Sequence, residues 1–312
     1  MAWIIDKFTS RGGDTARGIA AISAAVFLLS FSDALVKFAG DGFGLAQLVF
    51  LRSLVALVLL AAGLVVFRGQ AALRLRCSRW VWLRSLSLAA MWLCYYAALP
   101  SISFALAAAC YYTSPVWMAL MSRFFLETSM SVRDWTAIGL SVAGVVLAVD
   151  PRPDNFSPTL LLPLAAAGFY ALAGIITRSR CQRDTAGTMA LNLNLCLCAV
   201  AGTGLAALTL FGPLDDRSFV LRIWPTLTLN DWALIVLLGG LLTIITTLVA
   251  LAYRLAPTPT IGVFDTSYLG FAALWGLVFF ADVPSVQEGL GLGLIAAAAI
   301  ATSRKPRSNR GG

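Results

Sequence analysis

The sequence predicts an all-α polytopic membrane protein with ten transmembrane helices, from its composition, its ten apolar runs and the placement of its basic residues. Hydrophobic residues make up 59% of the 312 residues, charged residues make up 12%, and the mean hydropathy is +0.84. Soluble domains carry about 25% charged residues. A soluble core could not cover this much apolar surface, so we expect the lipid bilayer to be a partner of the chain.

The apolar runs are separated by breaks rich in Gly, Pro, Asp or Arg. A membrane-spanning helix needs roughly 20 mostly apolar residues. The predicted spans, numbered 1 to 10, are 18–39, 44–67, 80–99, 101–122, 132–149, 158–177, 188–211, 231–255, 259–280 and 285–302. The shortest breaks, at Pro100 and between Pro257 and Pro259, predict tight helical hairpins.

Basic residues set the predicted orientation, because cytoplasmic loops carry an excess of Lys and Arg. With the N-terminus inside, the cytoplasmic segments hold 18 Lys and Arg residues and the opposite side holds 3. We therefore predict that both termini face the cytoplasm, that residues 1–17 and 303–312 are cytoplasmic tails, and that the protein lies in a bacterial cytoplasmic (inner) membrane.

Several classes of function are excluded or disfavoured. The chain has no histidine, which excludes Ser-His-Asp hydrolases and histidine-ligated metalloproteases. No GxxxxGK[ST] motif occurs, so no ATPase within the chain would drive transport. The basic residues fall between apolar runs and do not indicate nucleic-acid binding. We expect no enzymatic activity, no metal, no cofactor and no disulfide.

The two halves of the chain contain matching segments. Residues 124–127 (FFLE) recur as 279–282 (FFAD), 131–134 (SVRD) recur as 285–288 (SVQE), and Tyr96-x-x-x-Pro100-Ser101 recurs as Tyr253-x-x-x-Pro257-Thr258. The offsets of 155, 154 and 157 residues are nearly constant. Five helices per copy is an odd number, so the second copy would be inverted, as in many secondary transporters. The predicted repeats are 18–149 and 158–302, joined by a linker at 150–157.

A five-helix repeat that ends in an apolar run, an acidic residue and a glycine-rich helix resembles the EamA domain. Two such repeats in tandem resemble the drug/metabolite transporter superfamily, and the resemblance covers residues 18–302. It implies a central cavity lined by spans 3, 4, 8 and 9. Residues 31–37 (FSDALVK), followed by Gln47 and residues 50–53 (FLRS), are similar to a subgroup that includes riboflavin and S-adenosylmethionine uptake carriers.

Charged residues within the spans are candidates for gating or substrate binding. Asp33 and Arg52 both lie roughly 10–12 Å below the predicted outer surface, where an unpaired charge is costly. We predict an Asp33–Arg52 pair, with Lys37 extending outward, and leave open whether the pair is a structural strut or has a functional role. Arg84 and Asp265, near the inner surface, are candidates for a second pair or for contacts with a charged substrate. Asp33 or Asp265 could also carry a coupling proton.

Aromatic and polar side chains in spans 3, 4 and 9 form the predicted substrate-binding set. Deep aromatic rings can stack on a flat ring system or a cation, although such rings also pack between helices or mark the membrane interface. The set comprises Trp92, Tyr95, Tyr96, Tyr111, Tyr112, Ser114, Trp117, Phe264, Tyr268 and Trp275. Pro115 in span 4 removes a backbone hydrogen bond beside this set.

Together these observations favour a secondary transporter for a small-molecule substrate that works by alternating access. The leading expectation is uptake of a heteroaromatic metabolite such as riboflavin. Export of amino acids, especially aromatic ones, is the alternative. Uptake of S-adenosylmethionine, an intramembrane enzyme acting on lipid and a channel are less favoured. The glycine-rich faces of spans 5 and 10 could pack closely, including against a second copy in a homodimer.

Overall fold

A computed structural model describes residues 11–39, 42–69, 78–125, 132–149, 157–181, 184–211, 218–255 and 264–303. Throughout these ranges the regular structure is helical. The helices are α1 (Arg11–Phe38), α2 (Leu45–Arg68), α3 (Ser78–Ala98), α4 (Phe104–Tyr111), α5 (Ser114–Phe125), α6 (Val132–Val149), α7 (Leu161–Arg180), α8 (Ala186–Phe211), α9 (Leu229–Leu255), α10 (Tyr268–Phe280) and α11 (Val286–Ser303). A short 3-10 turn, Pro158–Leu160, leads into α7.

Five helical segments are long and apolar enough to cross a membrane. They are Ala16–Phe38, Leu45–Phe67, Pro158–Thr177, Gly187–Phe211 and Leu229–Val249. Shorter apolar segments lie at Ile138–Ala148, Tyr268–Phe280 and Val286–Ala298. This helical architecture is that of a polytopic membrane protein, as the composition predicts.

Predicted span 4 is wrong as a single helix, because the chain folds there into α4 and α5. The break lies at Tyr112 and Thr113. Pro115, at the second position of α5, has no backbone N–H and cannot donate to the carbonyl four residues earlier, so a continuous helix would lose a bond there. At the turn the Thr113 hydroxyl and backbone N–H both donate to the Cys110 carbonyl, at 2.7 and 3.3 Å. The turn therefore places two tyrosines, Tyr111 and Tyr112, at the end of a helix rather than within one.

Some sequence predictions fall outside the described residues. They are the hairpin between Pro257 and Pro259, the first residues of span 9, most of the 150–157 linker and the basic C-terminal tail. At the other end of the chain, α1 begins at Arg11, seven residues before the predicted start of span 1.

The helices pack mainly across the sequence rather than along it. α3 packs on α7 and α1 packs on α9; α2 packs on α8 and α6 packs on α11. Smaller interfaces join α9 to α2, α3 to α8, α5 to α7 and α10 to α1. Each of these interfaces joins an element before residue 150 to one after it. The core they form is rich in alanine, with Ala25, Ala34, Ala56 and Ala89 all fully buried, and small side chains allow helix backbones to approach closely.

The segment between α8 and α9 covers the N-terminus of α2. The Leu45 N–H donates to the Phe219 carbonyl at 2.8 Å, and Gln47 Nε2 donates to the Pro225 carbonyl at 3.0 Å. A Cβ on Gly44 would lie 2.0 Å from the Arg222 carbonyl oxygen, so this contact requires glycine. The segment thus supplies partners for polar groups at the start of α2, a helix end that would otherwise be unsatisfied.

Two glycines set the closest approach of α6 and α11. A Cβ on Gly144 would lie 2.8 Å from the Gly291 carbonyl oxygen, and a Cβ on Gly291 would lie 2.6 Å from the Gly144 carbonyl oxygen. Because the obstacles are backbone atoms, they cannot move aside as a flexible side chain could. These two positions of the predicted glycine-rich faces therefore pack within one chain.

We predict that Gly144→Ala and Gly291→Ala each destabilise the protein by about 1–3 kcal/mol, because the added methyl group would overlap backbone. Matched controls exist on the same helices, since a Cβ on Gly139 or Gly289 would meet nothing within 4 Å. Thermal unfolding in detergent measures the effect. Equal melting temperatures for the Gly144 and Gly139 variants would contradict the interpretation.

Candidate functional site

A buried carboxylate on α1 lies at the centre of the polar contacts. Asp33 is 3% exposed. Tyr96 Oη on α3 donates to Oδ1 of Asp33 at 3.1 Å, and Tyr268 Oη on α10 donates to Oδ2 at 2.6 Å. Each carboxylate oxygen thus has a neutral donor, which compensates part of the cost of removing the charge from water. The carboxylate consequently ties α1 to α3 and α10.

Arg52, on α2, is joined to Asp33 through a tyrosine. Its Nη1 donates to Tyr96 Oη, the same hydroxyl that donates to Asp33. The guanidinium carbon lies 4.9 Å from the ring centroid of Trp92 and 5.0 Å from that of Tyr96, within range of cation–π attraction. Both Asp33 and Arg52 are described residues, and they form no direct ion pair. The sequence prediction placed these charges in contact; the fold instead inserts the Tyr96 hydroxyl between them.

The aromatic side chains form one continuous cluster around these charges. Tyr95 Oη lies 3.1 Å from Tyr268 Oη, and the rings of Tyr112 and Tyr268 stack with centroids 5.2 Å apart and planes inclined by 28°. Further ring contacts at 5.0–5.5 Å join Trp92 to Tyr96, Tyr95 to Tyr111, and Tyr111 to both Tyr112 and Tyr170. Six of the ten predicted substrate-binding residues, Trp92, Tyr95, Tyr96, Tyr111, Tyr112 and Tyr268, therefore lie together.

The other four predicted residues lie elsewhere. Trp117 and Phe264 are 38% and 37% exposed, so neither is enclosed by the cluster. Trp275 packs against Phe27 and Phe31 of α1, and its Nε1 donates to Ser30 Oγ at 3.1 Å. Ser114 is buried at the start of α5, beside the helix break.

The sequence reasoning missed Tyr170, which touches Tyr111 from α7. The available signal was its depth: it lies near the middle of a predicted span, as Tyr111 does. Its helix was not among those that the family resemblance implied as cavity lining. With Tyr170 included, the cluster draws on α3, α4, α7 and α10, helices from both halves of the chain.

The predicted second pair, Arg84 with Asp265, does not form between these two described residues. Arg84 Nε instead donates to Thr177 Oγ1 on α7 at 2.8 Å, because α3 and α7 pack against each other along their length. The Asp265 backbone carbonyl accepts a hydrogen bond from Tyr112 Oη at 3.2 Å, which places Asp265 at the edge of the aromatic cluster. Contact of either charge with a substrate stays a prediction.

Lys37 connects three segments near one end of the bundle. Its Nζ donates to the Ile102 carbonyl at 2.6 Å, lies 3.9 Å from Asp282 Oδ2 and sits 4.9 Å from the centroid of the Phe280 ring. The sequence prediction had this side chain extending outward. It instead ties the end of α1 to the turn before α4 and to the end of α10, three segments that approach one another on one side of the cluster.

Comparison with known proteins finds similarity to a transporter family over part of the chain. Residues 16–149 match the model of the EamA-like transporter family. A solved crystal structure is similar over 94% of this chain and 96% of the chain in that structure. The TM-score is 0.61 at 20% sequence identity, which shows a shared fold.

Relatives with curated names fall into two groups. Riboflavin transporters of Rhizobium johnstonii and Vibrio cholerae are 28% and 25% identical over 189 and 184 residues. These alignments cover 60% and 59% of this chain, which spans 58% and 57% of the length of those relatives. A pseudopaline exporter of Pseudomonas aeruginosa is 26% identical over 295 residues, or 92% of this chain and 96% of that relative.

Removing a single tyrosine hydroxyl tests the contacts of Asp33. We predict that Tyr268→Phe destabilises the protein by about 1.5–3 kcal/mol, because a charged oxygen loses its donor in an apolar environment. Tyr95→Phe is the matched control, since it removes the same group from the same cluster but bonds only Tyr268. Thermal unfolding in detergent measures both variants. If Tyr95→Phe lowers the stability as much as Tyr268→Phe does, the hydrogen bond to Asp33 makes no particular contribution and the prediction is wrong.

Proposed function

We propose that this chain belongs to the EamA-like transporter family, whose model matches residues 16–149, and that it is a secondary transporter for a small organic metabolite. We place it in the bacterial cytoplasmic membrane, with both termini inside, where 18 of its 23 Lys and Arg residues would face the cytoplasm. The carrier would alternate between states open to either side.

The helix packing supports two inverted five-helix repeats. In this scheme α1, α2, α3 and α6 correspond to α7, α8, α9 and α11, and α4 with α5 corresponds to α10. Exchanging corresponding elements turns the α3–α7 interface into the α9–α1 interface, and the α5–α7 interface into the α10–α1 interface. It maps the α2–α8 and α6–α11 interfaces onto themselves. A bundle with this exchange can rearrange around a central site, as inverted-repeat transporters do.

One observation carries the proposal of a binding site: a continuous aromatic cluster drawn from both halves surrounds intramembrane charges. Tyr111 of the first half contacts Tyr170 of the second, and Tyr112 stacks on Tyr268. Intramembrane charges are costly and commonly mark substrate or ion pathways. A site that joins the two halves would change shape whenever the halves move, which alternating access requires.

We propose riboflavin, or a related flat heteroaromatic compound, as the substrate and uptake as the direction. The aromatic rings offer stacking surfaces for a planar ring system, and their hydroxyl groups offer hydrogen bonds to its polar edges. The relatives named riboflavin transporter support this choice, although they align with only part of the chain.

Export of amino acids, especially aromatic ones, is the second candidate. The relative named pseudopaline exporter aligns over nearly the whole of both chains, which the riboflavin transporters do not. Export of aromatic amino acids would suit the same cluster, with the aromatic side chain among the tyrosines and the carboxylate at a cationic residue such as Arg52.

Riboflavin uptake tests the leading proposal. We expect that expression of the chain in a bacterium that cannot synthesise riboflavin restores growth at low external riboflavin and gives saturable uptake of radiolabelled riboflavin. We expect Tyr111→Ala, which removes a stacking surface from the middle of the cluster, to lower uptake roughly tenfold or more, since one base–aromatic stack contributes about 1–3 kcal/mol.

Trp224→Ala is the control for this assay, because Trp224 is 51% exposed in the segment between α8 and α9 and lies outside the cluster. Membrane levels of all variants are compared by quantitative blotting. If the wild-type protein gives no riboflavin uptake and tryptophan leaves preloaded cells, the uptake proposal is wrong and the export proposal is supported.

A further inference from the structure

Two nitrogens of the buried Arg52 guanidinium have no hydrogen-bond partner among the described residues. The side chain is 1% exposed, and its Nη1 is satisfied by Tyr96. Its Nε and Nη2 atoms are buried and have no hydrogen-bond partner in the part of the chain that the structure describes. In the planar guanidinium group these two nitrogens lie side by side on one edge, with their N–H bonds nearly parallel.

The neighbouring carboxylate does not serve as that partner. Both oxygens of Asp33 already accept hydrogen bonds from tyrosine hydroxyls, and the Tyr96 hydroxyl bonds both Asp33 and Arg52 Nη1. The rings of Trp92 and Tyr96 lie about 5 Å from the guanidinium carbon and supply cation–π attraction, which does not satisfy N–H donors in the plane of the group. Unpartnered charged donors in a low-dielectric interior are costly.

We propose that the Nε/Nη2 edge of Arg52 is the polar recognition point for the substrate and takes two hydrogen-bond acceptors that lie side by side. This parallel fork is the arrangement by which arginine binds carboxylates, phosphates and the O6/N7 edge of guanine. The inference rests on the proposed transport function and defines the chemistry of its substrate.

Two sources of paired acceptors are consistent with the aromatic surroundings. The isoalloxazine ring of a flavin presents O4 and N5 next to each other, much as guanine presents O6 and N7. An amino acid or related organic acid presents the two oxygens of its carboxylate. In either case the ring of the substrate would lie among the tyrosines while its paired acceptors reach Arg52.

Access to this edge requires a conformational change. Arg52 and Tyr96 are buried, whereas Trp92, whose ring lies over the guanidinium, is half-buried. Gly239 of α9 abuts Val55 and the Arg52 carbonyl closely enough that an added Cβ would lie 2.6 Å from Val55 Cβ. Arg52 is therefore buried where α9 packs on the backbone of α2, and its guanidinium lies against rings of α3. A substrate would reach the guanidinium only when these helices separate.

Pairs of ligands that differ by a single acceptor test the proposal on purified protein in detergent. Riboflavin is compared with 5-deazariboflavin, in which a C–H replaces N5, and tryptophan is compared with tryptophanamide, which lacks the carboxylate. Affinities are measured by equilibrium dialysis for the wild-type protein and for Arg52→Lys, which keeps the positive charge but loses the fork.

We expect the wild-type protein to bind one parent ligand roughly tenfold or more tightly than its analogue, since a buried polar group left unpaired discriminates strongly. In Arg52→Lys the affinity for that parent should fall by a similar factor, and the preference over the analogue should shrink to less than about twofold. Arg79→Lys is the control, because Arg79 also lies over a tryptophan ring, that of Trp80, but is exposed at the other end of α3. This variant should prefer the parent ligand over its analogue as strongly as the wild type does.

The possible outcomes separate the inference from the function on which it rests. If Arg52→Lys weakens parent and analogue by the same factor, Arg52 is a structural strut and the inference is wrong, even though transport stands. If only tryptophan is preferred over its analogue and Arg52→Lys abolishes that preference, the inference is supported and riboflavin is excluded as the substrate. Binding of none of the four ligands by wild-type protein contradicts both proposals. Thermal unfolding of Arg52→Lys within a few degrees of wild type confirms that the compared proteins are folded.

Discussion

The interior of this protein depends on how one carboxylate is kept within an apolar bundle. Among the described residues no cation forms an ion pair with Asp33; two tyrosine hydroxyls donate hydrogen bonds to its oxygens instead. Neutral donors stabilise a buried anion less than an arginine fork would, but they leave the neighbouring Arg52 uncommitted. The arrangement brings together α1, α3 and α10, and it makes Tyr96 the link between an anion and a cation.

The small residues of the core make this arrangement possible. Alanines allow α1, α3, α7 and α9 to cross closely, and Gly239 lets α9 approach α2 beside Arg52. Without a hydrophobic driving force between helices in lipid, such close packing supplies much of the attraction. The large side chains are then concentrated in one place, where rings from α3, α4, α7 and α10 meet. The close packing of small residues and the contacts of this aromatic cluster thus both join the two halves.

A transporter must rearrange, and the contacts differ in how readily they would do so. The α6–α11 interface is packed backbone against backbone at Gly144 and Gly291. Around Asp33 and Arg52, by contrast, helices are joined by hydroxyl groups that can change partners at small cost. Lys37 makes a similar polar contact between α1, the turn before α4 and the end of α10. Motion would thus concentrate where the polar contacts lie, with α6 and α11 as a fixed pair.

The amino-acid sequence by itself determined the class of the protein, the approximate span positions and most of the aromatic set. Hydropathy is a local property summed over about 20 residues, so it can be read from the sequence without knowledge of any tertiary contact. Six of ten predicted binding residues lie together because depth within a span is also readable from the sequence. Pro115 indicates a disturbance of the helix in span 4, but it does not indicate that the break falls at Tyr112.

Only the tertiary structure decided which charges meet which partners. Rotation of a helix about its axis moves a side chain from one neighbour to another without changing its depth, and the sequence does not reveal that rotation. Arg84 therefore bonds Thr177 rather than Asp265, Tyr96 stands between Asp33 and Arg52, and Tyr170 joins a cluster from a helix not expected to contribute. The Nε/Nη2 edge of Arg52, which has no partner among the described residues, likewise depends on what surrounds the residue and not on its place in the chain.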